Sequence, residues 1–129
     1  MASAILLVAV LAVTTAVTAA QQSAAEAQQR VAASLAAHDL MGRLITTPYD
    51  DLADWDGFRE EVGTLHDMKG APAPPCFGGI GRSVTVTSEM HTIDDLGVRV
   101  LGSTVCVVVF DAADRALAEL CTFVTEPPA

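Results

Sequence analysis

The chain has 129 residues, a length that provides for about one small domain. Its 16 acidic residues outnumber the 7 basic ones, and the formal net charge is −9 at pH 7. Such a charge repels the phosphates of nucleic acids, and the basic residues form no cluster in the sequence. We therefore predict no nucleic-acid partner.

Residues 1–20 are predicted to form a membrane-spanning helix, because every side chain from Ala2 to Ala20 is apolar or small. A helix of this length extends roughly 28 Å, close to the bilayer's hydrocarbon thickness of about 30 Å. The competing interpretation is a cleaved signal peptide, with Thr18, Ala19 and Ala20 as the small residues before the cut. Two features favour the membrane helix over it: no Lys or Arg precedes the apolar run, and the helical pattern continues past Ala20.

Residues 21–47 are predicted to continue this helix in amphipathic form, since they lack proline and contain a single glycine, Gly42. Pro48 ends the helix, because the residue before a proline avoids helical geometry. A helix from Ala2 to Thr46 would be roughly 68 Å long. Its first half is apolar, and its second half is amphipathic and suited to packing on a sheet. The simpler alternative is a membrane tether followed by a short linker helix. The predicted apolar stripe comprises Val31, Leu35, Leu40, Met41, Leu44 and Ile45, and the predicted polar face comprises Glu26, Gln28, Gln29, Arg30, Asp39 and Arg43.

Residues 48–129 are predicted to form a small β-rich domain. Alternating Val and Thr side chains, and short apolar runs between turn residues, indicate about four strands. The run TVCVVVF is apolar on both faces, which predicts a central strand. The predicted fold class is α+β: a long N-terminal helix packed on a small antiparallel sheet. The predicted strands are Arg82–Met90, Val98–Leu101, Thr104–Phe110 and Leu117–Thr125, with a turn at Gly102 and Ser103.

The three cysteines match no zinc-binding motif, since no C-x-x-C is present. If the last turn is centred between Ala113 and Asp114, Cys106 lies directly opposite Cys121. Cross-strand neighbours are close enough for a disulfide bond. Two buried thiols that pack as small hydrophobic groups are an equally good interpretation.

An acidic stretch after Pro48 contains the weak metal-ligand candidates Asp51, Asp54 and Asp56. Several carboxylate oxygens suit a hard cation such as calcium, but their spacing does not fit an EF-hand loop. The alternative is a solvated turn in which Trp55 and Phe58 pack inward. We predict no metal and no cofactor.

The sequence also offers no catalytic arrangement. Its histidines are His38, His66 and His91, and none stands near a nucleophile or a carboxylate in a recognisable pattern. The chain is therefore predicted not to be an enzyme.

Three stretches of the chain together resemble the type IV pilin-like proteins, which include minor pilins and the pseudopilins of secretion systems. Residues 2–7 (ASAILL) and the Val/Leu/Ala run after them look like the inner part of a prepilin membrane helix. Residues 35–44, leading into 47–52, resemble the helix end of many minor pilin-like proteins, and residues 118–120 are similar to their closing strands. The likeness covers nearly the whole chain, and the helix is its most specific part.

The resemblance implies a structural subunit of a type IV pilus-like or type II secretion-like filament. Its expected partners are other pilin-like subunits, the membrane assembly machinery and the lipid bilayer. The expected location is the inner membrane, crossed once, with the C-terminal domain exported and exposed in the periplasm or at the cell surface after assembly. The alternative is a single-pass tethered binding or adaptor module. Small side chains allow close helix approach, and the expected assembly face comprises Ala9, Ala12, Ala16, Ala19 and Ala20.

One departure from the family pattern concerns the N-terminus. Prepilins carry a short basic leader that ends in glycine, followed by a hydrophobic residue and then by an acidic residue inside the helix. The chain shows none of these features. Our expectation is therefore that Met1 is an internal methionine and that the coding sequence begins upstream of it.

Overall fold

The computed structural model of the chain describes residues 2–67 and 69–128, and the side chains from Ala4 onward. Helix α1 runs from Ala2 to Ile45, 44 residues without interruption. A short helix, α2, covers Tyr49–Leu52, and 3-10 turns cover Ala53–Trp55 and Pro75–Phe77. The first helix thus ends just ahead of Pro48, as the sequence predicts.

Four antiparallel strands form one sheet in the order β1-β2-β3-β4. They are β1 (Arg59–Glu60), β2 (Ile80–Ile93), β3 (Val98–Asp111) and β4 (Ala116–Thr125). Helix α1 packs on one face of this sheet, so the predicted α+β fold is confirmed. β3 lies between β2 and β4, which confirms the central position expected for its apolar run.

The predicted turn at Gly102 and Ser103 is wrong, because both residues lie within the continuous strand β3. Glycine is required at position 102 for close packing: a Cβ there would clash with the carbonyl oxygen of Val124 and lie 2.6 Å from the Phe123 ring. The glycine therefore marks a close approach of β4 and not a turn. The two-residue strand β1 was not predicted, and it makes the fourth strand of the sheet in place of the separate strand expected at Val98–Leu101.

The predicted apolar stripe of α1 is only partly correct. Leu40 and Leu44 are buried against the sheet together with alanines of the same helix face, and Met41 is half-buried. Val31, Leu35 and Ile45 instead point away from the sheet and are exposed. Alanine lets the helix approach the sheet closely, so small side chains occupy the centre of the contact where larger ones were expected. The buried alanines are Ala32, Ala33, Ala36 and Ala37.

The first part of α1 projects from the domain as a rod, which we define as residues 4–25. All its side chains are exposed, and it is roughly 33 Å long at 1.5 Å per residue. Within the described residues, α1 is the one helix long and apolar enough to cross a membrane. The rod leaves the domain at the end where β3 turns into β4, because Glu26 and Arg30 lie beside Arg115 and Leu117.

The β3–β4 turn is held by the carboxylate of Asp111. Its Oδ1 accepts hydrogen bonds from the backbone N–H groups of Ala113 (2.9 Å) and Arg115 (3.0 Å), and its Oδ2 accepts one from the Arg115 guanidinium (3.0 Å). The Arg115 and Ala113 backbone donors lower the pKa of Asp111. These bonds favour the charged carboxylate, so the turn depends on its ionisation.

The lowered pKa of Asp111 predicts a specific loss of stability in acid. The carboxylate stabilises the fold fully above the ordinary Asp pKa of about 3.9, and this contribution disappears as the pH falls through the lower pKa of the folded state. Urea unfolding of the chain in detergent at a series of pH values should therefore show a smaller acid-dependent loss for Asp111→Asn than for the parent. The exposed turn residue Asp95→Asn is the control, and identical pH profiles for all three proteins would contradict this role.

Candidate functional site

The rod presents an almost entirely apolar surface. Ile5 is 72% exposed and Leu6 67%, values that would be unfavourable for a helix surrounded by water. The rod's threonines do not add polarity, since the hydroxyls of Thr14, Thr15 and Thr18 donate to carbonyl oxygens four residues earlier at 2.8–2.9 Å. Such bonds satisfy the hydroxyls within the helix. The rod therefore has the surface of a helix that lies in lipid or against other helices.

The expected assembly face lies on this rod and is exposed. Ala9, Ala12, Ala16 and Ala19 recur every three or four residues, so they form one continuous strip of small side chains, with Ala20 beside them. None of them contacts the sheet. Another helix could approach this strip closely because no large side chain stands in the way.

A buried charged cluster joins helix, sheet and loop. Arg82 on β2 is 2% exposed, and its Nε donates to the Glu60 carboxylate at 2.5 Å. Its remaining nitrogens donate to the carbonyl oxygen of Ala36 (3.1 Å), the carboxylate of Asp39 (3.2 Å) and the carbonyl oxygen of His66 (2.8 Å). One guanidinium thus links α1, β1 and the loop that follows β1.

Two further groups complete this cluster. Arg43 donates to the Asp39 carboxylate at 2.7 Å and to the His66 carbonyl oxygen at 2.9 Å. The backbone N–H of His66 donates to Glu60 at 2.7 Å. Asp39 and Arg43, predicted on the solvated face of the helix, therefore lie at its contact with the loop. The chemistry of the cluster is structural, since each charge is matched by a partner of opposite sign.

The position of Arg82 could have been found in the sequence. Along a strand, alternate residues share a face, and Arg82 has the same parity as the inward-facing Val84 and Val86. A charged residue on a buried face requires a charged or polar partner. That partner, Glu60, lies in the unpredicted strand β1, so the pair could not be assigned from the pattern alone.

The weak metal candidates are not drawn together around one point. Asp51 and Asp54 are exposed in α2 and in the following 3-10 turn. Asp56 Oδ1 accepts a hydrogen bond from the backbone N–H of Val86 at 3.0 Å, so it holds the loop against β2. Trp55 and Phe58 are half-buried and meet edge to face with ring centroids 4.9 Å apart. The solvated-turn interpretation accounts for this geometry.

The structure joins Cys106 and Cys121 by a disulfide bond across β3 and β4, where the two residues are register partners. Cys76 is a free, exposed thiol. The Glu119 carboxylate lies within 4.8 Å of both bonded sulfurs, which completes a group of three potential ligands. Sulfurs in a disulfide do not act as thiolate ligands. The two cysteines are therefore a covalent link between strands, with the Glu119 carboxylate beside it.

Each of the three histidines contacts a neighbouring group, and His66 has its Nδ1 3.5 Å from the Glu60 carboxylate. His38 Nδ1 lies 2.8 Å from the Ser34 carbonyl oxygen, and the His91 ring packs against Phe123 at 4.2 Å between centroids, with the two rings tilted by 54°. Glu89 accepts hydrogen bonds from Thr104 Oγ1 (2.7 Å) and His91 Nε2 (3.0 Å), which lower the pKa of this carboxyl. A lowered pKa at an exposed cross-strand contact keeps the carboxylate charged and gives it no role as an acid or base near neutral pH.

Comparisons with protein-family models, with curated proteins and with solved structures each find no match to this chain.

Proposed function

We propose that this protein is a structural subunit of a pilin-like filament, of the type IV pilus or type II secretion kind, held in the membrane by its rod before assembly. The observation that carries the proposal is the rod itself: residues 4–25 project from a folded domain and contain no ionisable side chain. The same helix continues into the domain and packs on its sheet. A domain that shares its core helix with its anchor is suited to assembly through that helix.

The charge distribution indicates different roles for the rod and the domain. With a net charge of −9 and every ionisable side chain beyond residue 25, the domain repels copies of itself and anionic lipid headgroups. The rod carries no ionisable side chain, so neither other copies nor lipid headgroups repel it. Association through the rod, with the acidic domains kept outside, fits both properties. The exported, single-pass orientation belongs to this proposal, and the cross-strand disulfide is consistent with an oxidising compartment.

Ala12→Arg is expected to block membrane insertion and assembly without unfolding the domain. Arginine at the centre of a membrane helix raises the insertion free energy by about 2.5–3.5 kcal/mol, and its bulk would also separate packed helices. We expect the variant to be lost from the carbonate-resistant membrane fraction and from oligomers trapped by helix crosslinking. The domain itself should remain folded, because position 12 lies outside it, and the resistance of residues 26–129 to limited proteolysis reports this.

Ala25→Arg is the matched control, because it makes the same substitution at the end of the rod where arginine can reach the lipid headgroups. It should insert and assemble as the parent does. Normal insertion and normal crosslinking of Ala12→Arg would contradict the proposal. Normal insertion of the parent without any crosslinking between copies would instead indicate a lone tethered binding or adaptor module.

A further inference from the structure

A groove runs along α1 where the rod enters the domain. Its first part is walled by helix residues 27–35 and by Cys76 and Phe77 of the proline-rich loop, and encloses about 330 Å³. Its second part continues along the helix to Asp39 beside Leu65 and Phe77, with a similar volume. The two parts share Leu35 and Phe77, so they form one channel roughly 18 Å long, measured at 1.5 Å per helical residue.

The floor of the first part of this groove is mostly apolar and open. Val31 is 60% exposed and Leu35 58%, although the opposite side of the same helix turns is fully buried in the core. Apolar side chains set four residues apart on a helix form a continuous ridge. Such a ridge beside a raised loop is the shape that receives another helix.

The same ridge extends out of the groove along the rod. The apolar residues on this side are spaced by alternating steps of four and three, the repeat that keeps one helix in contact with another over several turns. Every member is exposed, so the seam has no partner within the described part of the chain. The members are Leu6, Val10, Val13, Val17, Ala20, Ala24, Ala27 and Val31.

Charge restricts what this groove can accept. The helix residues that line its first part are uncharged, whereas its second part is lined by charged groups, and the domain around it is acidic. A second copy that brought its own domain to this site would place acidic side chains against acidic side chains, which costs free energy. Residues 2–25 are the long stretch of the chain without an ionisable side chain, and they carry the matching seam.

We infer that the groove seats the rod of a second copy of this chain, displaced along the filament axis by roughly 20–30 Å so that its seam meets Val31 and Leu35. The inference rests on the proposed function and deepens it, because it names a docking surface outside the membrane and its occupant. The loop residues Cys76 and Phe77 close over the incoming helix. In each subunit the groove receives the rod of one neighbour, and the rod enters the groove of another neighbour along the filament axis. A contact between unlike surfaces of this kind propagates as an open filament.

Crosslinking to the native thiol Cys76 tests this arrangement. One copy retains Cys76, and a second copy carries Cys76→Ser together with a single new cysteine on the seam, Val13→Cys or Val17→Cys. The two are co-expressed, and assembled material sheared from the cells, in which the displaced rod has left the bilayer, is treated with a short bismaleimide. Cys106 and Cys121 do not react while they form a disulfide. We expect crosslinks from the seam positions to be several-fold stronger than from Leu11→Cys, which lies on the opposite side of the same rod.

A second pair of proteins separates the groove from the filament proposal. Two copies that both carry Ala12→Cys and Cys76→Ser report contact between rods alone. Crosslinking between rods without a preference of Cys76 for the seam positions would overturn the groove and leave the filament proposal standing. No crosslinking of either kind would overturn both. Val31→Arg in the copy that retains Cys76 should abolish its crosslink to the seam, and an unchanged yield would also overturn the groove.

Discussion

Arg82→Met is expected to lower the free energy of unfolding by about 3–5 kcal/mol, the range found when one partner of a buried ion pair is removed. The substitution keeps a long apolar stem in place but removes the guanidinium. The Glu60 carboxylate, which is 8% exposed as a residue, would then lose the charge that compensates it. The carbonyl oxygens of Ala36 and His66 would lose a donor as well.

Urea unfolding of the full chain in detergent, followed by the fluorescence of Trp55, measures this effect. Arg99→Met is the control, since it makes the same change at an exposed position near the end of the β2–β3 hairpin. We expect the control to stay within about 0.5 kcal/mol of the parent. The double variant Arg82→Met/Glu60→Gln should recover part of the loss, because it removes the uncompensated charge. An Arg82→Met protein as stable as the control would show that the cluster does not stabilise the fold.

Leu40→Ala is expected to cost about 2–5 kcal/mol of unfolding free energy, as for other leucines removed from a packed core. Leu40 is 0% exposed and lies in the cluster of side chains between α1 and the sheet. Because close-packed neighbours collapse only partly into the space left behind, the variant loses both burial and packing. The same urea experiment measures it.

Leu35→Ala is the matched control for this prediction, with the same substitution one and a half turns earlier on the same helix. Leu35 faces the groove and is 58% exposed. Its replacement should change the stability of the isolated subunit by no more than about 0.5 kcal/mol. Equal losses from both variants would mean that the helix face assigned to the core is wrong. A selective loss of the Cys76 crosslink from Leu35→Ala would agree with the role of the groove.

The extent of α1 could be predicted from the sequence because its determinants are local. The lack of helix breakers from Ala2 to Met41 and the stop before Pro48 act within a few residues of where they stand. The β3–β4 hairpin was similarly accessible, since apolar runs on both sides of one turn set its register. That register places Cys106 opposite Cys121, but the choice between a disulfide bond and two packed thiols could not be made from the sequence.

The parts that could not be predicted depend on contacts between distant segments. The face of α1 that packs on the sheet is the one whose alanines allow the helix and the sheet to approach closely. The longer apolar residues Val31 and Leu35 lie on the other side of the helix and are exposed. The turn wrongly expected at Gly102 has the same origin, because the neighbouring strand is what requires the glycine there. β1 is only two residues long and exists through its pairing with Arg82 and Ser83.

The uninterrupted course of α1 has a mechanical consequence. No proline or glycine occurs between Ala2 and Met41, so the helix has no local point at which it could bend easily. Anything that tilts the rod must therefore tilt the domain with it, like the two arms of a lever. Over 44 residues, or roughly 66 Å, a tilt of about 10° moves the far end by about 11 Å. A force or torque applied to the rod therefore changes the orientation of the domain, because little of the motion is absorbed by bending of the helix.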